Sequence, residues 1–378
     1  MTKRPAVALV CDVIHPYSHG GREIRYHELS RRLAQRADIH IFTMHWWPGP
    51  RVRAEGGVTY HAISALFPLY KGNRRSLKQA LLFALACLRL LRYRFDVLEA
   101  DHIPYFQLFV LRAVATLKRK PFIVTWHEVW SRAYWRQYLG WAGWAAWLAE
   151  GLAMRLPDHI IAASPGTAER LRKRLGGRAS ITVAPNGLDF DSIRSAYPDA
   201  GGSDLVAVGR LLDHKRTDML LNVVALLHAD GIPVTCLIIG DGPEREALHQ
   251  QAEALGIAHG VDFRHGVGEQ KEVYALVKGS QAFVSLSERE GFGIAVLEAL
   301  ACGVPVVTTS APDNLAQHLA ARSPLGFVCE HSAASVATVL KRLLTGASPP
   351  LSGDSDDSWL MDYDWETIAD QVARTYPS

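Results

Sequence analysis

The sequence predicts an α/β protein built from two doubly wound domains, because short apolar strands and amphipathic helices alternate along the chain in two successive series. The strands are near-continuous runs of apolar residues, as expected for parallel strands covered by helices on both faces. A cluster of Pro198, Gly201 and Gly202 separates the two series. A chain of 378 residues is long enough for two domains that each bury their own core.

The first series contains several predicted strands, separated by helical stretches such as Glu23–Arg36. Its strands are Val7–Cys11, Ile39–Thr43, Val97–Ala100, Phe122–Trp126, His159–Ala162 and Ile181–Val183. The second series has predicted strands Leu205–Val208, Val234–Ile239, Ala282–Leu286 and Pro305–Thr308, with helices Thr217–His228 and Arg245–Leu255. A polar stretch over 347–358 precedes a last helix, Tyr363–Arg374. We therefore predict domains over residues 1–198 and 199–358, followed by a C-terminal segment over 359–378.

Composition and charge exclude several classes of function. The chain is 48% hydrophobic and 21% charged, as in an ordinary globular protein. A net charge of +3 is too small to indicate a nucleic-acid partner. The five cysteines show no CxxC spacing, so we interpret them as buried apolar residues in a reducing compartment. The N-terminus has no signal-peptide pattern, and the longest candidate membrane segment, Ala80–Leu88, falls well short of the ~20 residues that span a bilayer. We expect a cytoplasmic protein, free or lying against a membrane.

The segment from Glu290 to Glu298 is the strongest candidate for a binding site. A predicted strand leads into glycines and then into a helix, whose N-terminal N–H groups favour an anion. Gly291 and Gly293 let the backbone approach a phosphate that a Cβ atom would hinder. Glu290 precedes the helix and Glu298 lies two turns later, so the two carboxylates can hold different hydroxyls of one extended ligand. An isolated pair with this spacing is more often a helix cap and a solvated residue, but the strand–glycine–helix context favours the ligand.

Arg210 and Lys215 follow the first strand of the second domain and are candidates for binding a diphosphate. Arginine offers a planar fork of donors and lysine a point charge, so together they can clamp two phosphates. Such a pair also flanks many surface loops. Its predicted position at the same crevice as the glycine loop strengthens the interpretation.

The first domain contributes two further candidates. Gly20 and Gly21 follow the first strand and precede a helix, which indicates either a second anion site or a simple tight turn. The dinucleotide fingerprint is absent, since no acidic residue ends the second strand. His127 follows the strand Phe122–Trp126, at the edge where α/β domains bind ligands. A single histidine is usually structural, and its position sets this one above the others.

Two Asp-x-Asp matches raise the question of a metal site. Asp189 and Asp191 belong to a predicted turn, and Asp354 and Asp356 lie in the polar stretch. Matches this short arise easily by chance. We therefore expect neither pair to bind a metal.

The ordered set of motifs resembles the glycosyltransferase family 4 enzymes of the GT-B fold. The matching segments are Gly20-Gly21, His127, Pro185-Asn186-Gly187-Leu188-Asp189, Gly209-Arg210 with Lys215, Gly240-Asp241-Gly242-Pro243-Glu244, Glu290 to Glu298, Gly303-Val304-Pro305-Val306 and Asp364-Trp365-Glu366. The resemblance implies two Rossmann-like domains that face each other across a cleft, with the C-terminal helix crossing back to the first domain. It also implies a retaining transferase that takes a hexose from a UDP- or GDP-sugar, without a metal or other cofactor. Glycan, cell-envelope polysaccharide or glycolipid synthesis is the setting that we expect.

The resemblance also assigns roles to the candidate residues. Glu298 would hold the ribose hydroxyls, and Arg210 and Lys215 would neutralise the departing diphosphate. The donor sugar and phosphate would contact Glu290 and the backbone amides of three further residues, Phe292, Gly293 and Ile294. His127 would touch the sugar from the acceptor side. The leaving phosphate can itself accept the proton of the acceptor hydroxyl, and positioned cations and amide dipoles supply the main stabilisation.

Two positions depart from the family pattern. Arg216 stands where the family most often has glycine. The stretch Ala311-Pro312-Asp313-Asn314-Leu315-Ala316 replaces the usual Gly-Gly-x-x-Glu element. The second departure leaves the donor sugar, the base and the branch of the family open.

The stretch Lys71–Arg94 combines cations with leucines at helical spacing and contains no acidic residue. Such a pattern is typical of a helix on an anionic membrane, and also of a core helix with a solvated outer face. Five tryptophans crowd the region that follows, and they suit a core, a sugar-stacking platform or a membrane interface; they are Trp130, Trp135, Trp141, Trp144 and Trp147. Our hypothesis is peripheral membrane attachment with a lipid-linked or oligosaccharide acceptor.

Three other functions fit the same scaffold. A nucleotide-sugar epimerase would turn over its donor without an acceptor. A phosphorylase needs a lysine that carries pyridoxal phosphate, and no motif nominates one. A non-catalytic nucleotide-sugar-binding partner often lacks the cationic pair or an acidic residue, whereas this chain contains Arg210, Lys215, Glu290, Glu298 and His127.

Overall fold

A computed structural model describes residues 4–18, 20–71, 74–177, 179–346 and 357–376. The chain forms two compact units, of which the first comprises Met1–Gly187 with Trp365–Ser378 and the second Leu188–Asp364. These boundaries differ from the predicted ones at 198 and 358. The reason is that Leu188, Ile193 and Tyr363 pack into the core of the second unit.

The first unit is built on an eight-stranded sheet. Its strands are β1 (Ala6–Val10), β2 (Asp38–Met44), β3 (Val52–Glu55), β4 (Val58–Ser64), β7 (Val97–Asp101), β8 (Phe122–Trp126), β9 (His159–Ala162) and β10 (Ile181–Val183), while β5 (Tyr70–Lys71) and β6 (Arg74–Arg75) form a separate pair. The sheet order is β10-β9-β8-β7-β1-β2-β4-β3, and only β3 runs antiparallel to its neighbour. Its helices are α1 (Gly21–Leu33), α2 (Leu77–Ala86), α3 (Tyr105–Lys118), α4 (Arg132–Leu139), α5 (Gly143–Ala153) and α6 (Pro165–Leu175), with 3-10 turns at Cys87–Arg92 and Gly140–Ala142.

Alternate residues of β1 enter two different cores, as the two-residue period of a strand requires. Val7 and Leu9 pack on one face with α1 and with the C-terminal helix of the chain. Ala8 and Val10 pack on the other face, which α2, α3, α5 and α6 cover. The sheet is therefore covered on both faces, which explains its near-continuous apolar strands.

The second unit is built on a six-stranded parallel sheet in the order β13-β12-β11-β14-β16-β18. Its strands are β11 (Leu205–Val208), β12 (Cys236–Ile239), β13 (Val261–Arg264), β14 (Ala282–Ser285), β16 (Val306–Thr309) and β18 (Gly326–Cys329), with a small separate pair of β15 (Arg289–Glu290) and β17 (Asp313–Asn314). Its helices are α7 (Phe190–Ser195), α8 (Thr217–Ala229), α9 (Arg245–Ala254), α10 (Gln270–Lys278), α11 (Ile294–Ala301), α12 (Gln317–Ala320) and α13 (Ala333–Leu344), with 3-10 turns at Asp213–Lys215, Ala258–Gly260 and Asp357–Tyr363. The chain then returns to the first unit as α14 (Trp365–Ala373).

Both sheets reverse their strand order beside the first strand of the unit. The reversal lies between β1 and β7 in the first unit and between β11 and β14 in the second. The prediction of two doubly wound domains is thus confirmed. Ligands of such sheets bind at the carboxyl ends of the strands where the order reverses. Gly20, Arg210, Lys215 and Glu290 lie in the segments that follow β1, β11 and β14, whereas His127 follows the neighbouring strand β8.

The sequence prediction missed the strands β3, β13 and β18, which lie at the edges of their sheets, and also β4, which lies inside its sheet and is largely buried. Edge strands carry fewer buried residues than central ones, so their apolar pattern is weak; β3 has no fully buried residue. Three of the five cysteines, Cys11, Cys87 and Cys236, are buried as predicted, whereas Cys302 and Cys329 are partly buried. No helix in the described part of the chain is both long and apolar enough to cross a membrane.

Candidate functional site

Lys215 and Glu290 meet in an ion pair in the second unit. Lys215 ends the 3-10 turn after β11, and Glu290 ends β15, which β17 anchors. Both side chains are about three-quarters buried, with 27% and 21% of their side-chain surface exposed. The two predicted site residues, Lys215 and Glu290, are therefore in direct contact, beside the start of α11.

Gly293 forms the N-cap of α11 in a conformation that only glycine adopts without strain. Its φ angle is +92°, and a Cβ atom there would lie 2.3 Å from the Cβ atom of Ala316. The N–H of Leu315 donates to the carbonyl of Glu290 at 2.8 Å and holds the loop closed. The glycine is therefore required by local packing as well as by any approach of a ligand.

The neighbouring residues Gly291, Phe292 and Ile294 differ in which of their atoms a ligand can reach. Phe292 is buried and its ring lies 5.8 Å from that of Tyr363, so only its backbone is available to a ligand. Ile294 is the first residue of α11, where backbone N–H groups have no helical acceptor. Gly291 lies between Glu290 and Phe292 and is partly buried.

Arg210 and Arg216 flank the Lys215 turn. Arg210 is exposed immediately after the end of β11. Arg216 has a left-handed backbone with φ +55°, which costs an ordinary residue roughly 1–2 kcal/mol and costs glycine nothing. Its guanidinium binds Asp218 at 2.9 Å and Glu288 at 2.5 Å. The left-handed backbone at this position explains why the family most often has glycine here. In this chain Arg216 adopts the same backbone conformation and forms two ion pairs.

Glu298 lies on α11 and accepts two hydrogen bonds, from the Tyr274 hydroxyl at 2.9 Å and from the Gln270 amide at 3.2 Å. Burial raises the pKa of Glu298 to about 7, although the Tyr274 hydrogen bond opposes the shift. A solvated helix-surface glutamate would not behave in this way. In this environment the Glu298 carboxylate can accept hydrogen bonds from a polar ligand or can bind a proton.

In the first unit, Asp101 at the end of β7 is the centre of a buried polar cluster. It accepts hydrogen bonds from Arg22 at 2.6 Å, from the His102 ring at 3.1 Å and from the N–H of Ile103 at 3.1 Å. Burial alone would raise its pKa, but Arg22 and the His102 hydrogen bond hold the pKa of Asp101 well below its ordinary value. Asp101 is therefore ionised and fixed in position.

His127 follows β8 and lies beside this cluster, with its Nε2 atom 3.9 Å from Asp101. That nitrogen is buried and has no hydrogen-bond partner among the described residues. Burial lowers the pKa of His127 well below its ordinary value, and the attraction of Asp101 does not compensate. The imidazole is therefore neutral at physiological pH, with one ring nitrogen available to a ligand.

Gly20 and Gly21 lie at the start of α1, as the N-cap and the first helical residue. Gly20 has an extended backbone, and no side chain caps the helix. The Glu23 carboxylate lies close by, since a Cβ atom on Gly20 would be 2.6 Å from it. An anion bound here would have to displace that carboxylate.

The structure separates the five tryptophans into two groups. Trp135 is buried, contacts Trp130 at a ring distance of 4.4 Å and donates to Glu150 at 3.1 Å. Trp147 is partly buried, under the guanidinium of Arg174. Trp130, Trp135 and Trp147 are therefore packed against other side chains, whereas Trp141 and Trp144 are exposed at 86% and 53%.

Two sets of carboxylates can be judged as metal ligands. Asp189 caps α7 and Asp191 pairs with Arg194, so that pair is engaged in local structure, while Asp354 and Asp356 lie outside the described residues. Among the described residues, Asp101, His102 and His127 bring ligand atoms within 4.8 Å of one another. The Arg22 guanidinium already neutralises that aspartate at 2.6 Å, and a cation would have to share the carboxylate with it.

Sequence reasoning missed Asp101, Arg22 and Tyr274. Asp101 ends an apolar strand at the switch point, a signal that the sequence contained. Arg22 is one of many arginines, and its burial depends on the fold. Tyr274 lies on α10, 24 residues from Glu298, and no local pattern joins the two.

Two family models match the chain in succession. One, described as Glycosyltransferase Family 4, matches residues 19–192. The other, described as Glycosyl transferases group 1, matches residues 191–350. The two models together match the chain from residue 19 to residue 350.

Similar proteins include a GDP-mannose:cellobiosyl-diphosphopolyprenol alpha-mannosyltransferase of Komagataeibacter xylinus. It is 29% identical over 240 residues, which are 60% of this chain and 57% of that protein. A lipopolysaccharide core biosynthesis glycosyltransferase of Rhizobium meliloti is 32% identical over 161 residues, which are 41% of this chain and 45% of that protein. The chain thus matches about half the length of these relatives.

Solved structures with the same fold cover nearly the whole chain. Sucrose-phosphate synthase from Thermosynechococcus elongatus has a TM-score of 0.78 at 19% identity, over 99% of this chain and 98% of that one. HepE of Anabaena, solved in complex with UDP-glucose, has a TM-score of 0.73 at 18% identity, over 98% and 99% of the two chains.

Proposed function

This chain belongs to the group 1 glycosyltransferases of glycosyltransferase family 4 and has the GT-B fold, and we propose that it transfers a hexose from a UDP- or GDP-sugar to a hydroxyl acceptor with retention of configuration. The single observation that carries the proposal is the cluster at α11. There Glu290 and Lys215 form an ion pair beside a glycine-capped helix start, and Glu298 lies about one turn into that helix.

The donor is held by the second unit. The ribose hydroxyls donate to Glu298, and the diphosphate binds Arg210, Lys215 and the N–H groups of residues 292–294. Glu290 accepts hydrogen bonds from the sugar hydroxyls. Because Glu290 is paired with Lys215, each fixes the other, and the cation is in place before the leaving group develops charge.

The reaction exchanges one bond at the anomeric carbon for another. The acceptor oxygen forms a bond to that carbon as the bond to the diphosphate oxygen breaks, on the same face of the sugar. The acceptor proton passes to the leaving phosphate oxygen. No protein carboxylate is then needed as base, and the two cations neutralise the departing nucleoside diphosphate. His127, neutral because burial lowers its pKa, has a ring nitrogen that can donate a hydrogen bond to a sugar hydroxyl.

We propose a lipid-linked or oligosaccharide acceptor and peripheral attachment to the cytoplasmic face of a membrane. One similar protein is described as acting on cellobiosyl-diphosphopolyprenol, a lipid-linked glycan. The described residues contain no candidate spanning helix, so attachment would be to the surface of the bilayer.

Donor screening tests the proposal. Purified protein is incubated with UDP-, GDP- and ADP-hexoses, with and without a polyprenyl-diphosphate glycan, and the product anomer is assigned by NMR. We expect transfer only with an acceptor, from one of the first two donor classes and with a retained anomer. Donor turnover without acceptor indicates an epimerase. Transfer that survives both Lys215→Ala and Glu290→Ala in a purified complex indicates a non-catalytic partner.

We also propose that the reaction needs no metal ion. The same assay with a chelator added tests this. We expect excess EDTA to leave the rate of transfer unchanged. Loss of activity with EDTA, restored by one divalent ion, would instead indicate that Asp101, His102 and His127 bind that ion.

A further inference from the structure

Three neighbouring helices of the first unit carry outward rows of large apolar side chains. The helices α2, α3 and α5, with the 3-10 turns that adjoin α2 and α5, pack side by side on one face of the sheet. Their exposed apolar residues are Leu77, Leu81, Leu85, Leu88 and Leu91; Phe106, Phe109 and Leu117; and Trp141, Trp144, Leu148 and Leu152. We refer to these residues as the apolar helix face.

The rows are additional to those that build the core. On α2, Phe83 and Ala84 are buried against the sheet while Leu81 and Leu85 are each 52% exposed on the opposite side. On α3, Leu108 and Leu111 are fully buried while Phe109 faces outward. These helices are therefore apolar on both sides, unlike the usual surface helix of a globular protein, which is polar on its outer side.

The charges around the apolar helix face are mostly positive. The exposed carboxylates near the end of α3, Asp158 and Asp96, are each paired with a cation, Arg112 and Lys120. The sequence has no aspartate or glutamate from residue 77 to 95 or from 105 to 120. The one acidic residue of α5, Glu150, is fully buried and paired with Arg174. Cations, by contrast, lie along the edge of the face; Lys78, Arg92 and Arg94 are exposed beside α2, and Arg119 follows α3.

The opposite face of the same sheet shows that this pattern is local. Helix α1 carries Arg31 and Glu28 on its outer side and has no exposed large apolar residue. Contiguous exposed apolar surface marks a binding site. A rim rich in exposed cations, whose neighbouring carboxylates are already paired, favours a negatively charged partner.

We infer that the apolar helix face docks on a bilayer that contains anionic phospholipids. The leucine, phenylalanine and tryptophan side chains enter the boundary between headgroups and acyl chains, and the arginines and lysines contact lipid phosphates. Tryptophan is favoured at that depth because its ring is apolar and its N–H is polar. The inference rests on the proposed function for its purpose, which is to bring a lipid-linked acceptor to the enzyme, but vesicle binding is measured without any sugar transfer.

The charge argues against a second copy of this chain as the occupant. In a twofold interface the same patch meets itself, so the cationic rim would face an equally cationic rim. Anionic headgroups supply the opposite charge at every contact.

Vesicle flotation tests the inference with the full-length protein. Vesicles of phosphatidylcholine alone are compared with vesicles of equal parts phosphatidylcholine and phosphatidylglycerol, at low and high salt. Two variants of the face are used, Leu81→Asp with Leu85→Asp and Arg92→Glu with Arg94→Glu. The matched controls are Leu226→Asp and Arg342→Glu, which change exposed residues of the second unit.

We expect the wild-type protein to float with the anionic vesicles and to be released by salt. Each variant of the face should bind about tenfold more weakly or worse, while the controls bind like the wild type. Circular dichroism melting curves within a few degrees of the wild type exclude unfolding as the cause.

Failure of wild-type protein to float with anionic vesicles overturns the inference. So does a wild-type dimer in sedimentation velocity that Leu81→Asp with Leu85→Asp converts to a monomer, since the face then belongs to a second copy. Transfer to a soluble acceptor without vesicle binding would contradict this inference and leave the proposed function intact. Vesicle binding without any nucleotide-sugar turnover would instead count against the proposed function.

Discussion

Glu298 illustrates how burial sets the chemistry of a single residue. Its raised pKa of about 7 means that the carboxyl is largely protonated at pH 6 and largely ionised at pH 8. An ionised carboxylate accepts from both ribose hydroxyls, whereas a protonated one must donate its own hydrogen. Nucleotide affinity should therefore increase with pH over this range.

We expect nucleoside diphosphate to bind about tenfold more tightly at pH 8 than at pH 6, because a hydrogen bond to a charged group is stronger than one to a neutral group. Isothermal titration calorimetry at the two pH values measures the ratio. Glu298→Gln, which stays neutral, is the control that reports titration of the phosphate itself. An equal ratio in the wild type and in Glu298→Gln would rule out this role.

The same shift affects stability in a definite direction. The folded carboxyl has a higher pKa than the ordinary value of 4.5, so the folded state binds more protons and stability declines as the pH rises from about 4.5 to 7. Urea unfolding of the wild type and of Glu298→Gln should show that the decline is smaller in the variant. Parallel pH profiles for the two proteins would contradict the assignment.

Lys215 and Glu290 are expected to act as a unit at the reacting centre. Lys215→Ala removes a cation from the leaving diphosphate and leaves Glu290 without its partner, so we expect kcat to fall about 100-fold or more. The double variant should lose little more than either single variant, since the two effects are not additive. Steady-state kinetics of the three variants measures this, with Lys341→Ala, a surface lysine of α13, as control. Additive losses would show that the residues act independently.

At the scale of an element, the turn before α11 depends on Gly293. Alanine there would place a Cβ atom 2.3 Å from that of Ala316 and would require φ near +92°. We expect Gly293→Ala to lower the free energy of unfolding by about 2 kcal/mol and to weaken donor binding. Gly346→Ala, also at positive φ but with no atom near its Cβ position, controls for backbone strain alone. Equal effects of the two substitutions would contradict the packing argument.

Helix α14 depends on a different contact. Trp365 is 2% exposed and packs against Gly187, where an added Cβ atom would lie 2.5 Å from the indole. Trp365→Ala should cost about 3–5 kcal/mol of unfolding free energy. Glu366→Ala on the exposed side, where the glutamate pairs with Arg32, should cost less than about 1 kcal/mol. Chemical denaturation of both variants measures the difference, and similar midpoints would show that α14 is not anchored by the indole.

At the scale of the whole molecule, the donor residues are unevenly distributed between the two units. Arg210, Lys215, Glu290 and Glu298 all lie in the second unit. Nucleotide at 100 times its dissociation constant should add about 2.7 kcal/mol to the stability of the state that binds it. Hydrogen exchange should show the added protection mainly within residues 188–364. Protection confined to the first unit would contradict the donor assignment.

The two doubly wound units could be predicted from the amino-acid sequence, because buried parallel strands appear in it as short, near-continuous apolar runs. Strands Phe122–Trp126, His159–Ala162, Ile181–Val183 and Leu205–Val208 lie where the sequence predicts them. The sequence also identified Lys215, Glu290 and Glu298 as candidates, because glycines and charged residues that follow a predicted strand can be recognised from the sequence. That these residues bind a donor remains a prediction.

Which side chains contact one another could be learned only from the folded chain. The Lys215–Glu290 pair, the Tyr274 hydrogen bond to Glu298 and the Arg22–Asp101 pair each join residues at least 24 positions apart. Burial, which sets the pKa of Glu298 and of His127, likewise depends on what packs around them. The helical spacing of the leucines in Lys71–Arg94 is compatible with a core helix and with a helix on a membrane surface, so the sequence did not distinguish the two. The fold turned Leu77, Leu81 and Leu85 outward, because the other side of α2 already covers the sheet.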